Sequence, residues 1–469
     1  MQSAADRRER QTVTLAVTSA ATLLVMIVYT VVPITLVQTA ASLHASAASQ
    51  SWMLNGMNVG LSCLLMVIGT IADDYGRKLL FMAGLLVLAL ASTLSAVSMS
   101  PGLFIATRLG EGAAGGAILA TSLGLVGAAF PSAIERARAA ALWGAMLGAG
   151  VAVGPLFTSL FASVGSWRTV YWILAAVALL TALLGMTTLD ETRAERRQGA
   201  DLLGAATLTA GLACLLAALV TAGQGWDQPR VLELVAASAA LLVVFWRIEA
   251  VADRPMLDPR LWRRPAFVAA TLAALFTGLS VIGLMSYLPT VLERVIGLTP
   301  WATSQLFALW AGTSFVATLL ARRRGFGLHG HRSVALGLAV SAVGDLALWG
   351  LTRSAGVWHL IPGLVVSGVG YGLLNAVIGR LALESVPDRG STGSGVNNAA
   401  RYIGSGIGVT LLMAVSRPSA GPTATLAHDP NLALVIGAAI AVLGAVSIAT
   451  VQATPQSIVL AAQAQAPND

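Results

Sequence analysis

The sequence predicts an all-α integral membrane protein of fourteen spans, built as two six-helix halves with two extra helices between them. Three observations predict it: the composition, the segmentation of the apolar residues, and the distribution of the bases. Of 469 residues, 56% are hydrophobic and only 10% charged, where a soluble domain carries about 25% charged residues. Apolar segments recur at about 13–36, 51–72, 79–99, 102–128, 137–163, 169–189, 200–222, 231–250, 266–290, 301–322, 333–352, 358–383, 392–415 and 431–452. Most hold about 20 residues, which at 1.5 Å rise cross a ~30 Å hydrocarbon core.

The bases orient these spans. The N-terminus and the odd loops carry 21 arginines and lysines, the opposite loops carry five, and Arg108 and Arg401 lie within spans. Basic loops stay in the cytoplasm, so both termini are expected there, in a multi-pass cell (inner) membrane protein. The net charge of +7 sits in short loops and gives no reason to expect a nucleic-acid partner. Cys63 and Cys214 both fall in apolar runs, a pattern that suggests neither a disulfide framework nor a metal site.

Taken in order, a basic tail (1–12) precedes the first span, whose apolar run exceeds the ~7–15 residues of a signal-peptide core. Residues 13–189 are expected to form the N-terminal six-helix bundle, 200–250 the extra pair and 266–452 the C-terminal bundle, with a cytoplasmic tail at 453–469. A weak internal repeat supports this division. Span four leads through Phe130-Pro131 and the bases Arg136 and Arg138 into a glycine-rich span five. Span twelve leads through Val386-Pro387-Asp388-Arg389-Gly390 into a glycine-rich span thirteen. Parallel halves of this kind are the expected architecture of a transporter.

Between spans two and three lies Gly69-Thr70-Ile71-Ala72-Asp73-Asp74-Tyr75-Gly76-Arg77-Lys78. Gly76 permits a tight reversal, and Arg77 and Lys78 belong on the cytoplasmic face. A charged loop with a basic end would look much the same, but the spacing G-x-x-x-D-x-x-G-R-K resembles the signature loop of the major facilitator superfamily. Asp74 stands where that family usually carries a base. The resemblance implies that Gly69, Asp73, Gly76, Arg77 and Lys78 serve conformational switching rather than substrate contact.

Further motifs extend the resemblance. On span four, Arg108 and Glu111 lie three residues apart on one helical face with Gly112, Gly115, Leu119 and Ser122. An ionised pair within a membrane helix is expected to face a water-filled cavity or another polar group, although two such residues also neutralise each other. Arg-x-x-x-Gly resembles the family's fourth-helix motif, with Glu111 replacing the commoner glutamine, so that the position becomes titratable. On span five, Gly150-x-x-x-Gly154-Pro155 resembles the motif of the drug:proton antiporters, while the same residues also fit ordinary close packing. Span thirteen, with Asn397, Asn398, Arg401, Gly404 and Gly408, resembles the matching segment of the fourteen-helix antiporter branch. Its asparagines fit interhelical hydrogen bonding as well as substrate contact, and Arg401 needs an anionic or carbonyl partner.

Other polar and aromatic groups within spans are candidates for a substrate cavity: Asn55 and Asn58 on span two, and Tyr29, Tyr287, Trp310 and Tyr371, whose rings can hold flat lipophilic cations. Asp345 lies in the outer part of span eleven, where it can snorkel or serve as a proton site. Glu293-Arg294 is assigned to an external loop. No acid falls in the 13–36 run, so one proton per cycle, carried by Glu111 with Arg108 setting its affinity, is the expected stoichiometry.

No G-x-x-x-x-G-K-[ST] loop is present, and no nucleophile-base or metal constellation points to an enzyme. The resemblance covers nearly the whole chain. It implies a monomeric secondary transporter, without cofactor, that exports small lipophilic or cationic compounds in exchange for protons. A proton-coupled uptake symporter is the nearer alternative. A transport-inactive sensor or scaffold is the remoter one, since the chain shows neither soluble domains nor long tails.

Overall fold

The computed structural model describes residues 4–192, 201–222, 228–252, 259–323, 330–352, 356–385, 390–415 and 430–450. Among the described residues fourteen long helices follow in chain order: α1 Ala4–Ser42, α2 Ala47–Tyr75, α3 Arg77–Val97, α4 Pro101–Ala129, α5 Ala133–Val164, α6 Trp167–Thr188, α7 Leu202–Ala222 and α8 Pro229–Val251, then α9 Pro265–Ile296, α10 Pro300–Arg323, α11 His331–Leu346, α12 Val357–Ser385, α13 Gly390–Val415 and α14 Pro430–Thr450. Eleven of them are long and apolar enough to span a bilayer by length and composition alone. Below, the side of the membrane where α1 begins is the terminus side and the opposite one the far side.

Helix ends follow local chemistry. Ser46, Ser100 and Ser166 cap α2, α4 and α6 with their hydroxyls, satisfying backbone donors that a helix start leaves open. Gly76 ends α2 and starts α3 at φ 128°, a backbone conformation only glycine adopts without strain.

Several sequence-based boundaries shift. The expected tail at 1–12 is already helical from Ala4, because its charged residues are good helix formers. The helix of span nine does not stop before Glu293-Arg294. It runs on through Pro289, with π turns at Gly278–Ile282 and Leu292–Ile296 on either side, and ends at Gly297, φ 80°. Glu293 and Arg294 therefore lie on the last turn of α9 and not in a loop. Span eleven is shorter than expected and ends at Leu346.

Helices α1–α6 enclose one apolar core and α9–α14 another. Within each half the third and fourth helices pack closely, α3 on α4 and α11 on α12. The halves meet through α2 against α13 and α5 against α10. The extra helix α7 lies over the α2/α13 seam, where Leu208, Leu212 and Leu216 join Val59, Cys63 and Val396 in a third core. α8 packs on α7 through Ser238, which donates to the Gly211 carbonyl at 2.9 Å.

Candidate functional site

Near mid-membrane the two halves enclose a site with an aromatic and amide lining. From the N-terminal half, α1 contributes Tyr29 and α2 Asn58; the Tyr29 hydroxyl donates to Asn58 Oδ1 at 3.1 Å and lies 3.4 Å from Ser405 Oγ of α13. From the other half come Tyr287 of α9, Trp310 of α10, Tyr371 and Asn375 of α12, and Asn398, Arg401 and Tyr402 of α13. Trp310 is buried and stacks on Tyr371, centroids 5.1 Å apart and planes 18° from parallel. Tyr402 lies 6.0 Å from Tyr29. Tyr29, Tyr287, Tyr371, Asn375, Asn398 and Arg401 are all only half-buried although they lie well inside their helices.

Arg401 finds carbonyl partners, as expected from sequence, but both are amides. It donates to Asn398 Oδ1 at 2.6 Å and to Asn375 Oδ1 at 3.4 Å, and its guanidinium lies 5.8 Å over the Tyr402 ring. The neighbouring asparagine does something else: buried Asn397 donates to the Ala270 carbonyl of α9 at 2.8 Å and ties two helices. Adjacent helical residues point about 100° apart, so one asparagine serves packing and the other the site.

The far side of this site is closed by hydrogen bonds between the halves. Asn55 Nδ2 donates to Thr410 Oγ1 at 3.1 Å, Ser51 Oγ to Met413 Sδ at 3.4 Å, and Arg294 Nη2 to Gln50 Oε1 at 2.7 Å. Asn55 is thus fully buried in the seam between α2 and α13 rather than facing an open cavity.

Arg108 and Glu111 are not at this site. They are 1% and 0% exposed, in direct ion-pair contact inside the N-terminal half. Arg108 Nη1 also donates to the Val28 carbonyl at 3.2 Å and Nη2 to Met57 Sδ at 3.3 Å, while Ser92 and Ser95 of α3 donate to Glu111 Oε1 at 3.0 and 3.3 Å. Of the two expected surroundings, a water-filled cavity or another polar group, this conformation has the second: three neighbouring helices supply the polar partners. Toward the far side, Phe104, Trp167 and Tyr171 stack edge to face, centroids 5.5–6.1 Å apart.

Asp345 does not snorkel. It is fully buried between α11 and α12, where Ser367 Oγ donates to its Oδ1 at 2.9 Å and Oδ2 has no partner.

The glycines of α5 make room for α1. A Cβ on Gly150 would come 2.5 Å from Met26 Cβ, and one on Gly154 3.2 Å from Ile27 Cα. Pro155 follows within the same helix. Gly148 instead meets Phe315 of α10 across the halves.

At the loop between α2 and α3, the surroundings of Gly69 and the side chain of Asp73 lie outside the described residues, as do Pro387-Asp388-Arg389 between spans twelve and thirteen. Arg77 Nη1 donates to the Gly124 carbonyl at 3.2 Å, and Lys78 Nζ to the Met186 and Leu189 carbonyls. Glu191, which sequence reasoning passed over, caps this loop: its carboxylate accepts from the backbone N–H of Lys78 at 3.0 Å and of Leu79 at 3.1 Å. Asp190 beside it pairs with Arg10 of α1 at 3.2 Å. An acidic pair directly after an apolar run was the available signal for both.

Residues 18–409 match the model of the Major Facilitator Superfamily. The chain is 30% identical over 429 residues to a puromycin resistance protein of Streptomyces alboniger, covering 88% of this chain and 83% of that one. It is 27% identical over 465 residues to a cephamycin export protein of Amycolatopsis lactamdurans, covering 96% and 95%. The fold matches the human organic anion transporter MFSD10 with a TM-score of 0.60 at 18% identity, over 93% of this chain and 99% of that one.

Proposed function

The chain belongs to the major facilitator superfamily, a family of membrane transporters and not of enzymes, and on that premise we propose that it exports small lipophilic compounds in exchange for protons by alternating access. The observation that carries the reading is the half-buried aromatic and amide site between the two halves, closed on the far side by the Asn55–Thr410, Ser51–Met413 and Gln50–Arg294 hydrogen bonds. Opening that side breaks these hydrogen bonds and draws Val409 and Met413 of α13 away from the N-terminal core they join, a limited contact for a rocking motion between two bundles to exchange. The excess of bases on the terminus side supports an orientation with both termini in the cytoplasm, in an inner membrane. The site would then be sealed from outside and would load from inside, the direction of an exporter. Relatives named for resistance and export support that direction.

In this reading the chain works as a monomer without cofactor, with the proton gradient as its energy source. Glu111 is the first candidate for the coupled proton, with Arg108 as its partner, and Asp345 is the second. Gly150, Gly154 and Pro155 keep α5 tight on α1 against leak, because a longer side chain at Gly154 would force α1 away. The loop of Gly69, Asp73, Gly76, Arg77 and Lys78, capped by Glu191, biases the switch between states through contacts made in only one of them.

Cells expressing the protein are expected to accumulate less of a panel of lipophilic dyes than cells without it, and a protonophore is expected to erase the difference. Accumulation that rises on expression would mean uptake, and efflux indifferent to the protonophore would break the proton coupling.

A further inference from the structure

Arg401 is the one charged side chain among the described residues at the mid-membrane site, and nothing charged answers it. The ion pairs Arg10–Asp190 and Arg108–Glu111 lie elsewhere. A guanidinium carries five N–H donors. Here the carboxamide oxygens of Asn375 and Asn398 accept from two nitrogens, and Nε is buried without a partner. Carboxamides offer dipoles but no charge, and a half-buried cation is held more favourably when an opposite charge joins it.

The surroundings indicate what kind of molecule brings that charge. The Arg401 guanidinium lies 5.8 Å over the Tyr402 ring, which in turn lies 6.0 Å from the Tyr29 ring. Trp310 stacks on Tyr371 with its indole N–H unpartnered. The lining therefore offers flat rings, spare N–H donors and a planar fork suited to an oxyanion. No described carboxylate is in place for a cation, so the sequence-based expectation of a cationic cargo finds no counter-charge. We propose that the cargo bears an acidic group, a carboxylate or ionised phenol, on an aromatic frame, and that Arg401 is the specificity-determining residue that receives it. The inference rests on the export reading above.

Three probes on one frame test it: 1-pyrenebutyrate, its methyl ester, and the matching pyrenylbutyl-trimethylammonium. Each is titrated into the purified full-length protein, with energy transfer from tryptophan to pyrene as the signal. Partition into micelles is common to wild type and variants, so affinity ratios isolate the site. The ratio of pyrenebutyrate to ester affinity is expected to be roughly tenfold higher in the wild type than in Arg401→Gln, the scale of one charge-assisted hydrogen-bond pair. Arg401→Lys, which keeps the charge and loses the fork, is expected to fall between them. Equal ratios in wild type and Arg401→Gln, or tightest wild-type binding of the ammonium probe, would overturn the proposal. A parallel assay follows energised efflux of the same probes from cells. Efflux of ester or ammonium probe without pyrenebutyrate overturns this inference and leaves the export reading standing. Efflux of none removes the export reading and this inference with it.

Discussion

The two halves each bury an acid at the same place and treat it differently. In the N-terminal half it lies between α3 and α4, with Glu111 on the second helix and its serines, Ser92 and Ser95, on the first. In the C-terminal half it lies between the equivalent helices α11 and α12 with the roles exchanged, Asp345 on the first and Ser367 on the second. The N-terminal acid is held by Arg108 on its own helix. The C-terminal half has placed its arginine on α13 instead, at the shared site, leaving Asp345 without a base among the described residues. One half cancels its charges inside its own core, and the other keeps them apart. If the readings proposed above hold, the N-terminal half keeps its charge within a paired core and the C-terminal half presents its arginine to the cargo.

Removing each arginine tests that contrast most strongly. Arg108→Met strands Glu111 as a lone buried carboxylate and is expected to destabilise the full chain by roughly 3–5 kcal/mol, the range for breaking a buried pair. Arg401→Met removes hydrogen bonds to two neutral amides and is expected to cost no more than about 1–2 kcal/mol. Unfolding in detergent followed by heat or denaturant gives both values, and equal losses would erase the distinction between the halves.

A second pair of substitutions asks which acid carries the proton. Glu111→Gln is expected to abolish uphill, proton-driven export from proteoliposomes while sparing downhill substrate exchange. Asp345→Asn is expected to slow export without uncoupling it. Should the two phenotypes be reversed, coupling belongs to the half with the unpaired acid.

The smallest effect belongs to the hydroxyls. Ser92→Ala and Ser367→Ala each remove one buried hydrogen bond to a carboxyl oxygen, about 1–3 kcal/mol for an acceptor left wanting. Ser92→Ala is expected at the lower end, because Ser95 and Arg108 still reach Glu111. Ser367 is the only hydrogen-bond partner of either Asp345 side-chain oxygen among the described residues, so its loss is expected to cost more. Thermal shifts of the two variants rank them.

Much of this plan was legible in the chain. The crossings were readable because lipid demands long apolar runs, and Gly76 because a two-helix reversal needs a backbone that only glycine takes. The site was harder. Asn397 and Asn398 look alike in sequence, and only the helical phase, fixed by packing on α9, sends one into glue and the other to Arg401. Glu191 acts 113 residues from the N–H it caps, a distance no local pattern bridges. Ser92 and Ser95 pass as mildly polar members of an apolar run until α4 brings Glu111 against them. Glu293 looked like a loop residue because it follows the apolar run of 266–290, and the π turn that carries the helix through it leaves no mark in hydropathy.

The solitary guanidinium of the shared site has an electrical consequence. If a monovalent anion leaves a cell while one proton enters, the two movements together shift two positive charges inward. An inside-negative membrane then contributes about 4.6 kcal/mol per 100 mV, twice the ~2.3 kcal/mol that each charge contributes. A monovalent cation exchanged for the same proton shifts no net charge, and only the pH difference, about 1.4 kcal/mol per unit, drives it. With Arg401 selecting anions, export would continue when the pH difference collapses, as long as the membrane stayed polarised, and it would fail under valinomycin with high external potassium.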